Sequence, residues 1–202
     1  MVKKVQDYYF KKAKKEKYPA RSVYKLEEAQ EKYAILKKGD TVLDLGCHPG
    51  SWSLYSAKIV GASGLVVGID LNRWDKVQQT GKAKIIALCA DIMAPDTISL
   101  LAEYAGKYDV VLSDMAPRTT GNKWADQQHS LNLSRQALFL AEQLLKSGGN
   151  FYCKVFEGED FKLFFESVAE RFEFAKIVKP KSSRKESREV FILAKGYVHK
   201  RT

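Results

Sequence analysis

Acidic residues stand at or near the ends of three short apolar segments in the first half of the chain. Asp44 lies in the first segment, Asp70 ends the second, and Asp91 follows the third. A carboxylate such as Asp70 can accept hydrogen bonds from a ribose diol. The pair Asp91-Ile92 can meet an adenine amino group and its ring face. This ordered set is typical of a site for a nucleoside joined to a cationic amino acid, such as S-adenosylmethionine, and not of a phosphate site.

A glycine-containing loop follows the first segment, and its glycines allow the backbone to approach a ligand closely. The loop lacks the G-x-G-x-x-G pattern of dinucleotide sites and the G-x-x-x-x-G-K-[ST] pattern of phosphate loops. The residues predicted to bind the cofactor are Asp44, Gly46, His48, Pro49, Gly50, Ser51, Trp52, Asp70, Leu71, Asp91, Ile92 and Asp114. The simpler alternative is that Asp70 and Asp91 only cap helices. His48 has no second His or Cys at ligand spacing, so no metal site is predicted.

Two further charged residues belong to apolar segments in the second half. Asp114 follows Tyr108–Ser113, and Lys154 lies inside Asn150–Val155. A lysine in a buried strand is costly unless it is paired. Glu189 begins the last apolar segment.

The apolar segments alternate with helical stretches, which is typical of a parallel sheet covered on both faces. The clearest helix is predicted from about Asp126 to Lys146 and ends at Ser147–Gly149. Phe174–Val178 and Val190–Ala194 are joined by a basic loop without room for a crossover, which indicates an antiparallel pair. We therefore predict an α/β fold: a Rossmann-like, doubly wound, mostly parallel seven-stranded sheet with one antiparallel strand near the C-terminus. The remaining predicted strands are Thr41–Leu45, Leu65–Asp70 and Ala83–Leu88.

Positive charge is concentrated at the two ends of the chain. The formal net charge is +10, residues 1–38 hold 12 lysines and arginines against 5 acidic residues, and residues 176–202 hold 9 against 2. Basic ends favour a polyanion such as RNA, although they are equally typical of solvated tails. We predict a basic helical arm over residues 1–38, with a helix over residues 20–33, packed on a cofactor-binding α/β domain over residues 39–202. Aromatic residues interleaved with lysines, such as Tyr8, Tyr9 and Phe10, indicate contact with RNA bases.

Cysteine usage and hydropathy point to the cytoplasm. The three cysteines form no C-x-x-C pair, which fits a reducing compartment. No apolar run approaches the roughly 20 residues that a bilayer requires. We expect a cytoplasmic monomer without a membrane partner.

Several motifs in order resemble the FtsJ/RrmJ family of RNA ribose 2′-O-methyltransferases, from about Tyr8 to Gly196. They are Arg21–Leu26, Asp44–Ser53, Ser113–Pro117 with Thr120-Gly121 and Asp126-Gln127, Gly149–Glu157, and Lys179–Arg184 through Glu189. The resemblance implies a Lys-Asp-Lys-Glu catalytic tetrad, which falls on Lys25, Asp114, Lys154 and Glu189. It also implies action in ribosome biogenesis, on large-subunit ribosomal RNA in the assembled subunit, most simply on a uridine. Relatives act on tRNA anticodon loops or mRNA caps.

The cofactor loop departs from the family pattern, which has Ala before the proline and a Gly-Gly pair after it. This chain has His48 and Ser51, and Ser51 adds a side chain where the backbone is expected to approach the cofactor.

The resemblance also implies a role for each member of the tetrad. Lys154 acts on the 2′-hydroxyl, as a base if neutral or as an orienting donor if charged. Asp114 holds Lys154, Lys25 stabilises negative charge, and Glu189 orients a lysine. The competing hypotheses are a tRNA methyltransferase, a small-molecule methyltransferase and a non-catalytic assembly factor that binds RNA.

Overall fold

A computed structural model describes residues 2–74, 82–184 and 186–199, with side chains from Tyr8 onward. The predicted arm and domain are therefore described without residue 1 and without residues 75–81, 185 and 200–202, which lie outside these ranges.

The described chain contains one mixed sheet of seven strands in the order β3-β2-β1-β4-β5-β7-β6. The strands are β1 (Thr41–Leu45), β2 (Leu65–Asp70), β3 (Lys84–Cys89), β4 (Tyr108–Ser113), β5 (Leu145–Phe156), β6 (Phe172–Val178) and β7 (Glu189–Tyr197). Neighbours from β3 to β5 pair in parallel, whereas β7 pairs antiparallel with both β5 and β6. This arrangement confirms the predicted fold class, including its single antiparallel strand.

Helices cover both faces of the sheet. They are α1 (Val2–Lys15), α2 (Val23–Tyr33), α3 (Ser51–Val60), α4 (Thr97–Ala105), α5 (Lys123–Leu144) and α6 (Phe161–Ala169). Side chains from α4, α5 and α6 form one buried cluster with one face of the strands, and side chains from α2 and α3 form another with the opposite face. Val42 and Leu43 enter different clusters because successive strand residues point to opposite faces.

Element boundaries differ from the sequence prediction around α5. The helix begins at Lys123, where the Asn122 side chain accepts hydrogen bonds from two backbone N–H groups, and not at Asp126. It ends at Leu144 and not at Lys146, because Leu145 is extended and pairs with Tyr108 of β4. Ser147–Gly149 do not end the helix: they lie within β5, in an irregular stretch where the register passes from Leu145 opposite Tyr108 to Asn150 opposite Val110 and where Gly148 has φ +79°. The glycine signal thus marks an irregularity of the strand and not the helix end.

The N-terminal helices are tied to α3 and to each other by specific polar contacts. The Trp52 indole N–H donates to the main-chain oxygen of Ser22 at 2.8 Å. The backbone N–H of Ala20 donates to Ser51 Oγ at 2.7 Å, and Lys12 pairs with Glu27 at 3.0 Å. The helix predicted from residue 20 begins at Val23. These contacts fix α2 beside the carboxyl end of the sheet. Among the described residues, no helix is long and apolar enough to cross a membrane.

Candidate active site

Strand periodicity brings two charged side chains to the face that α2 covers. Tyr152 of β5 and Phe191 of β7 belong to the buried cluster that contains α2. Lys154 and Glu189 lie two residues from them, so they share that face. Because β7 runs antiparallel to β5, its first residue, Glu189, lies opposite Phe156 at the carboxyl edge of the sheet. Opposite strand directions therefore place the end of β5 and the beginning of β7 at the same edge.

The structure brings the four residues of the predicted tetrad together. Lys154 Nζ donates to Asp114 Oδ1 at 3.0 Å and to the Asp114 main-chain oxygen at 2.5 Å. Lys25 Nζ donates to Glu189 Oε2 at 2.8 Å and lies 3.4 Å from Asp114 Oδ1. Both lysines therefore share one oxygen of Asp114. The Lys154 side chain is only 5% exposed, so the pairing compensates a charge that burial alone would penalise.

The charges of the tetrad hold two of its members ionised. Burial alone would lower the pKa of Lys25, but the carboxylates of Asp114 and Glu189 outweigh it and raise that pKa. Burial would likewise raise the pKa of Asp114, but Lys154 and Lys25 hold that pKa below its ordinary value. Near neutral pH, Lys25 is therefore a cation and Asp114 a carboxylate.

Helix α5 fixes the strand that carries Lys154. Ser134 Oγ donates to the Lys154 main-chain oxygen at 2.9 Å, and the Phe156 backbone N–H donates to Ser130 Oγ at 3.1 Å. Both serines are almost fully buried. The β5 backbone at Lys154 and Phe156 is therefore held by two side chains one helical turn apart on α5.

A cleft of about 560 Å³ opens beside the tetrad at the same sheet edge. Of the residues predicted to bind a cofactor, those that line it are Gly46, His48, Asp70, Leu71, Asp91, Ile92 and Asp114. Asp114 thus lines the cleft and pairs with both lysines. Gly46 has φ +74°, and a Cβ there would lie 2.5 Å from Met115 Cγ, so the loops after β1 and β4 meet too closely for any other residue.

The carboxylates of Asp70 and Asp91 organise the wall of the cleft. Asp70 accepts hydrogen bonds from the backbone N–H of His48 at 3.1 Å and of Asn72 at 2.7 Å. Asp91 accepts one from the backbone N–H of Met93 at 2.9 Å. Neither is the N-cap of a helix, since α4 begins after Asp96. The alternative of simple capping residues does not describe their positions.

Five residues predicted to bind the cofactor do not line the cleft: Asp44, Pro49, Gly50, Ser51 and Trp52. Ser51 is 2% exposed and accepts the N–H of Ala20, so it does not add a side chain to the cleft as the sequence led us to expect. Trp52 stacks on Tyr152 with ring centroids 5.6 Å apart.

Asp44 is buried behind the cleft, where Ser53 Oγ donates to its Oδ2 at 2.5 Å. Burial raises the pKa of Asp44 to about 7, against the effect of that hydrogen bond. Asp44 therefore differs from Asp114, whose partners keep it ionised.

The cleft also contains residues that sequence reasoning missed. The main ones are Asn72, Met93, Met115, Pro117, Arg118 and Leu133. Asn72 and Met93 directly follow predicted site residues, and residues 115–118 continue the motif at Asp114, so their positions along the chain were an available signal. Leu133 lies in the middle of α5 and carries no local signal.

Comparison with known proteins identifies relatives along nearly the whole chain. A family model described as FtsJ-like methyltransferase matches residues 18–197. The chain is 52% identical over 196 residues to a Desulfotalea psychrophila protein named ribosomal RNA large subunit methyltransferase E, a match that covers 97% of this chain and 98% of the relative. A Desulfosudis oleivorans protein of the same name is 50% identical, with 95% and 90% covered.

The fold agrees with these sequence matches. A crystal structure described as a ribosomal RNA methyltransferase from Plasmodium falciparum superposes with a TM-score of 0.76 at 29% identity, and the match covers 89% of this chain and 98% of that one. Family, fold and tetrad geometry agree, and the chain belongs to the FtsJ-like methyltransferase family.

Proposed function

We propose that this chain transfers a methyl group from S-adenosylmethionine to a ribose 2′-hydroxyl of large-subunit ribosomal RNA in the assembled subunit, most simply on a uridine. One observation carries the proposal: Asp114 both lines the acidic cleft and accepts hydrogen bonds from Lys154. A cofactor in the cleft and a hydroxyl beside Lys154 would therefore meet at one carboxylate.

The donor set of the cleft fits S-adenosylmethionine. Asp70 and Asp91 offer carboxylates at two neighbouring strand ends, while Ile69, Ile92 and Leu133 offer apolar surface. Carboxylates suit a ribose diol, an adenine amino group and a cationic amino acid end, whereas they repel phosphates. When bound, S-adenosylmethionine supplies an already activated methyl group.

The tetrad supplies groups that can orient and deprotonate the weakly acidic 2′-hydroxyl. Two of the hydrogen-bonding directions of Lys154 Nζ are directed at Asp114, which leaves one for the 2′-hydroxyl oxygen. Because Lys25 remains protonated, it stabilises negative charge, and Lys154 is the lysine that orients the hydroxyl or takes its proton. The fixed positions of the tetrad side chains further increase the rate of methyl transfer by aligning the reacting groups.

Exposed cations beside the site support an RNA substrate. Arg118 lines the cleft, and Lys179, Lys181 and Arg184 lie exposed on the loop before β7. On the other side, α1 exposes Tyr8 and Phe10 among its lysines. We assign the basic and aromatic side chains of this arm, residues 1–38, to RNA contact, apart from Lys25, which completes the tetrad of the catalytic domain over residues 39–202.

The test measures transfer of labelled methyl from S-adenosylmethionine to three RNAs: large ribosomal subunits from a strain lacking the enzyme, protein-free ribosomal RNA, and bulk tRNA. Digestion to nucleosides then identifies the product. A 2′-O-methylated nucleoside that appears mainly with subunits is the expected result. Label mainly in tRNA would overturn the ribosomal substrate, and cofactor binding without label in any RNA would overturn RNA methyl transfer altogether.

A further inference from the structure

Helix α2 carries an acidic side chain, Glu28, one turn beyond Lys25. Glu28 lies three residues after Lys25, so the two side chains are neighbours on the helix surface. Its carboxylate accepts hydrogen bonds from two consecutive backbone N–H groups, those of Lys181 at 2.7 Å and Ser182 at 2.9 Å. Both amides belong to the loop between β6 and β7. Glu28 thereby fastens this loop to the helix that presents Lys25.

The same loop orients Glu189. Ser183 follows the two tethered amides and is 7% exposed, although it lies in a loop. Its Oγ donates to Glu189 Oε1 at 2.9 Å, while Glu189 Oε2 accepts from Lys25 Nζ at 2.8 Å. Each oxygen of Glu189 is thus assigned one partner. The contacts form a closed ring that leaves α2 at Glu28 and returns to it at Lys25.

This ring ends at one of the two lysines that share Asp114. Lys154 lies 3.0 Å and Lys25 3.4 Å from the same oxygen, Asp114 Oδ1. The closer bond of Lys25 to Glu189 holds it at the longer distance. Without that bond, Lys25 is free to move onto Asp114 Oδ1 and compete with Lys154.

We propose that Glu28 is a positioning residue for methyl transfer, acting through Ser183 and Glu189 on Lys25. The proposal rests on the proposed function for its consequence in catalysis, but the ring of contacts exists independently of the substrate. The alternative is that Glu28 only attaches the loop between β6 and β7 to α2. In that case its loss lowers the stability of the fold and leaves turnover unchanged.

A double-mutant cycle separates the two roles. Glu28→Gln keeps the shape of the side chain but places its amide NH₂ group against one of the two backbone N–H groups. One of the two hydrogen bonds to the loop is therefore lost. We expect about a tenfold lower kcat for methyl transfer to large subunits, corresponding to the loss of one charge-assisted hydrogen bond, with KM for S-adenosylmethionine unchanged. In a Glu189→Gln background the same change should lower kcat less than about twofold, because the link through Glu189 to Lys25 is already disrupted. Ser183→Ala should behave like Glu28→Gln.

The matched control is Glu31→Gln. Glu31 is exposed and lies one turn beyond Glu28 on α2, so its substitution should leave kcat, KM and the melting temperature unchanged. Unchanged kcat in Glu28→Gln, or an equal loss of kcat in both backgrounds, would overturn the positioning role.

A readout without RNA distinguishes failure of this proposal from failure of the proposed function. With ¹³Cε-labelled lysines, the NMR signal of Lys25, assigned from a Lys25→Met variant, should shift in Glu28→Gln and Ser183→Ala but not in Glu31→Gln. An unmoved signal would refute the ring. A shifted signal in an enzyme that methylates no RNA would uphold the ring and refute the function instead.

Discussion

The two halves of the sheet's carboxyl edge are built differently. The cleft half consists of residues that follow their own strands directly, such as Asp70 after β2 and Asp91 after β3, and its carboxylates face solvent. The tetrad half joins segments as far apart as Lys25 and Glu189, 164 residues along the chain, and its charges are largely buried and paired. A cleft can thus be lined by residues that follow their own strands, whereas buried charges require partners that only folding brings together.

The first prediction separates the halves by removing Lys154. Lys154→Ala should lower kcat by about 10²- to 10⁴-fold, the usual contribution of a positioned acid or base. The dissociation constant of S-adenosylmethionine should remain unchanged, because Lys154 does not line the cleft. Single-turnover methyl transfer and calorimetry measure the two quantities. Lys162→Ala, at a side chain 85% exposed, is the control, and near-normal turnover of Lys154→Ala would exclude the assigned role.

The second prediction tests the residue that the halves share. Asp114→Asn should lower the free energy of unfolding by about 3 kcal/mol, because two buried lysines lose a common counter-charge. It should also impair both cofactor binding and turnover, unlike any change confined to one half. Urea denaturation near neutral pH measures the stability. A variant as stable as the wild type would show that Asp114 does not compensate the lysines.

The third prediction perturbs the cleft half alone. Asp70→Ala should raise the dissociation constant of S-adenosylmethionine by about 10- to 100-fold, as expected for lost charge-assisted hydrogen bonds. At saturating cofactor, kcat should remain close to that of the wild type. The control is Asp96→Ala, an exposed aspartate at the start of α4 that does not line the cleft. A fall in kcat with an unchanged dissociation constant would reverse the assignment.

The fourth prediction contrasts two aspartates by the pH dependence of stability. The pKa of Asp44 is raised from 3.8 to about 7, so the folded state holds its proton more tightly than the unfolded state. Its contribution to stability is therefore present at acid pH and is lost as the pH rises through about 7. Asp44→Asn stays neutral, and its unfolding free energy minus that of the wild type should increase between about pH 4 and pH 7.

Asp114 has the opposite sign, because its pKa is lowered: its contribution is lost as the pH falls. Urea denaturation of the cofactor-free protein between about pH 4 and pH 7 measures the effect of Asp44, and the same measurement below about pH 4 measures that of Asp114. A constant difference between wild type and Asp44→Asn would contradict the raised pKa of Asp44.

Much of the fold followed from periodicity. The apolar segments predicted β1, β2 and β4 at their observed bounds, and the short connection before β7 predicted its reversed direction. The end of α5 was missed, since Leu145 already pairs with β4 and the glycines lie in the irregular stretch of β5 that follows it. Similarly, Ser51 and Trp52 were expected at the cofactor but turn towards the N-terminal segment and the core.

The sequence by itself indicated the strands, the acidic residues at their ends and the four positions of the predicted tetrad. These depend on a period of two and on motif order, which are local or linear properties of the chain. Only the tertiary structure showed that both lysines share one oxygen of Asp114, that Glu189 pairs with Lys25, and that Glu28 tethers the loop before β7. The physical reason is that a side chain's partner depends on how distant segments pack, and no spacing along the chain encodes that distance.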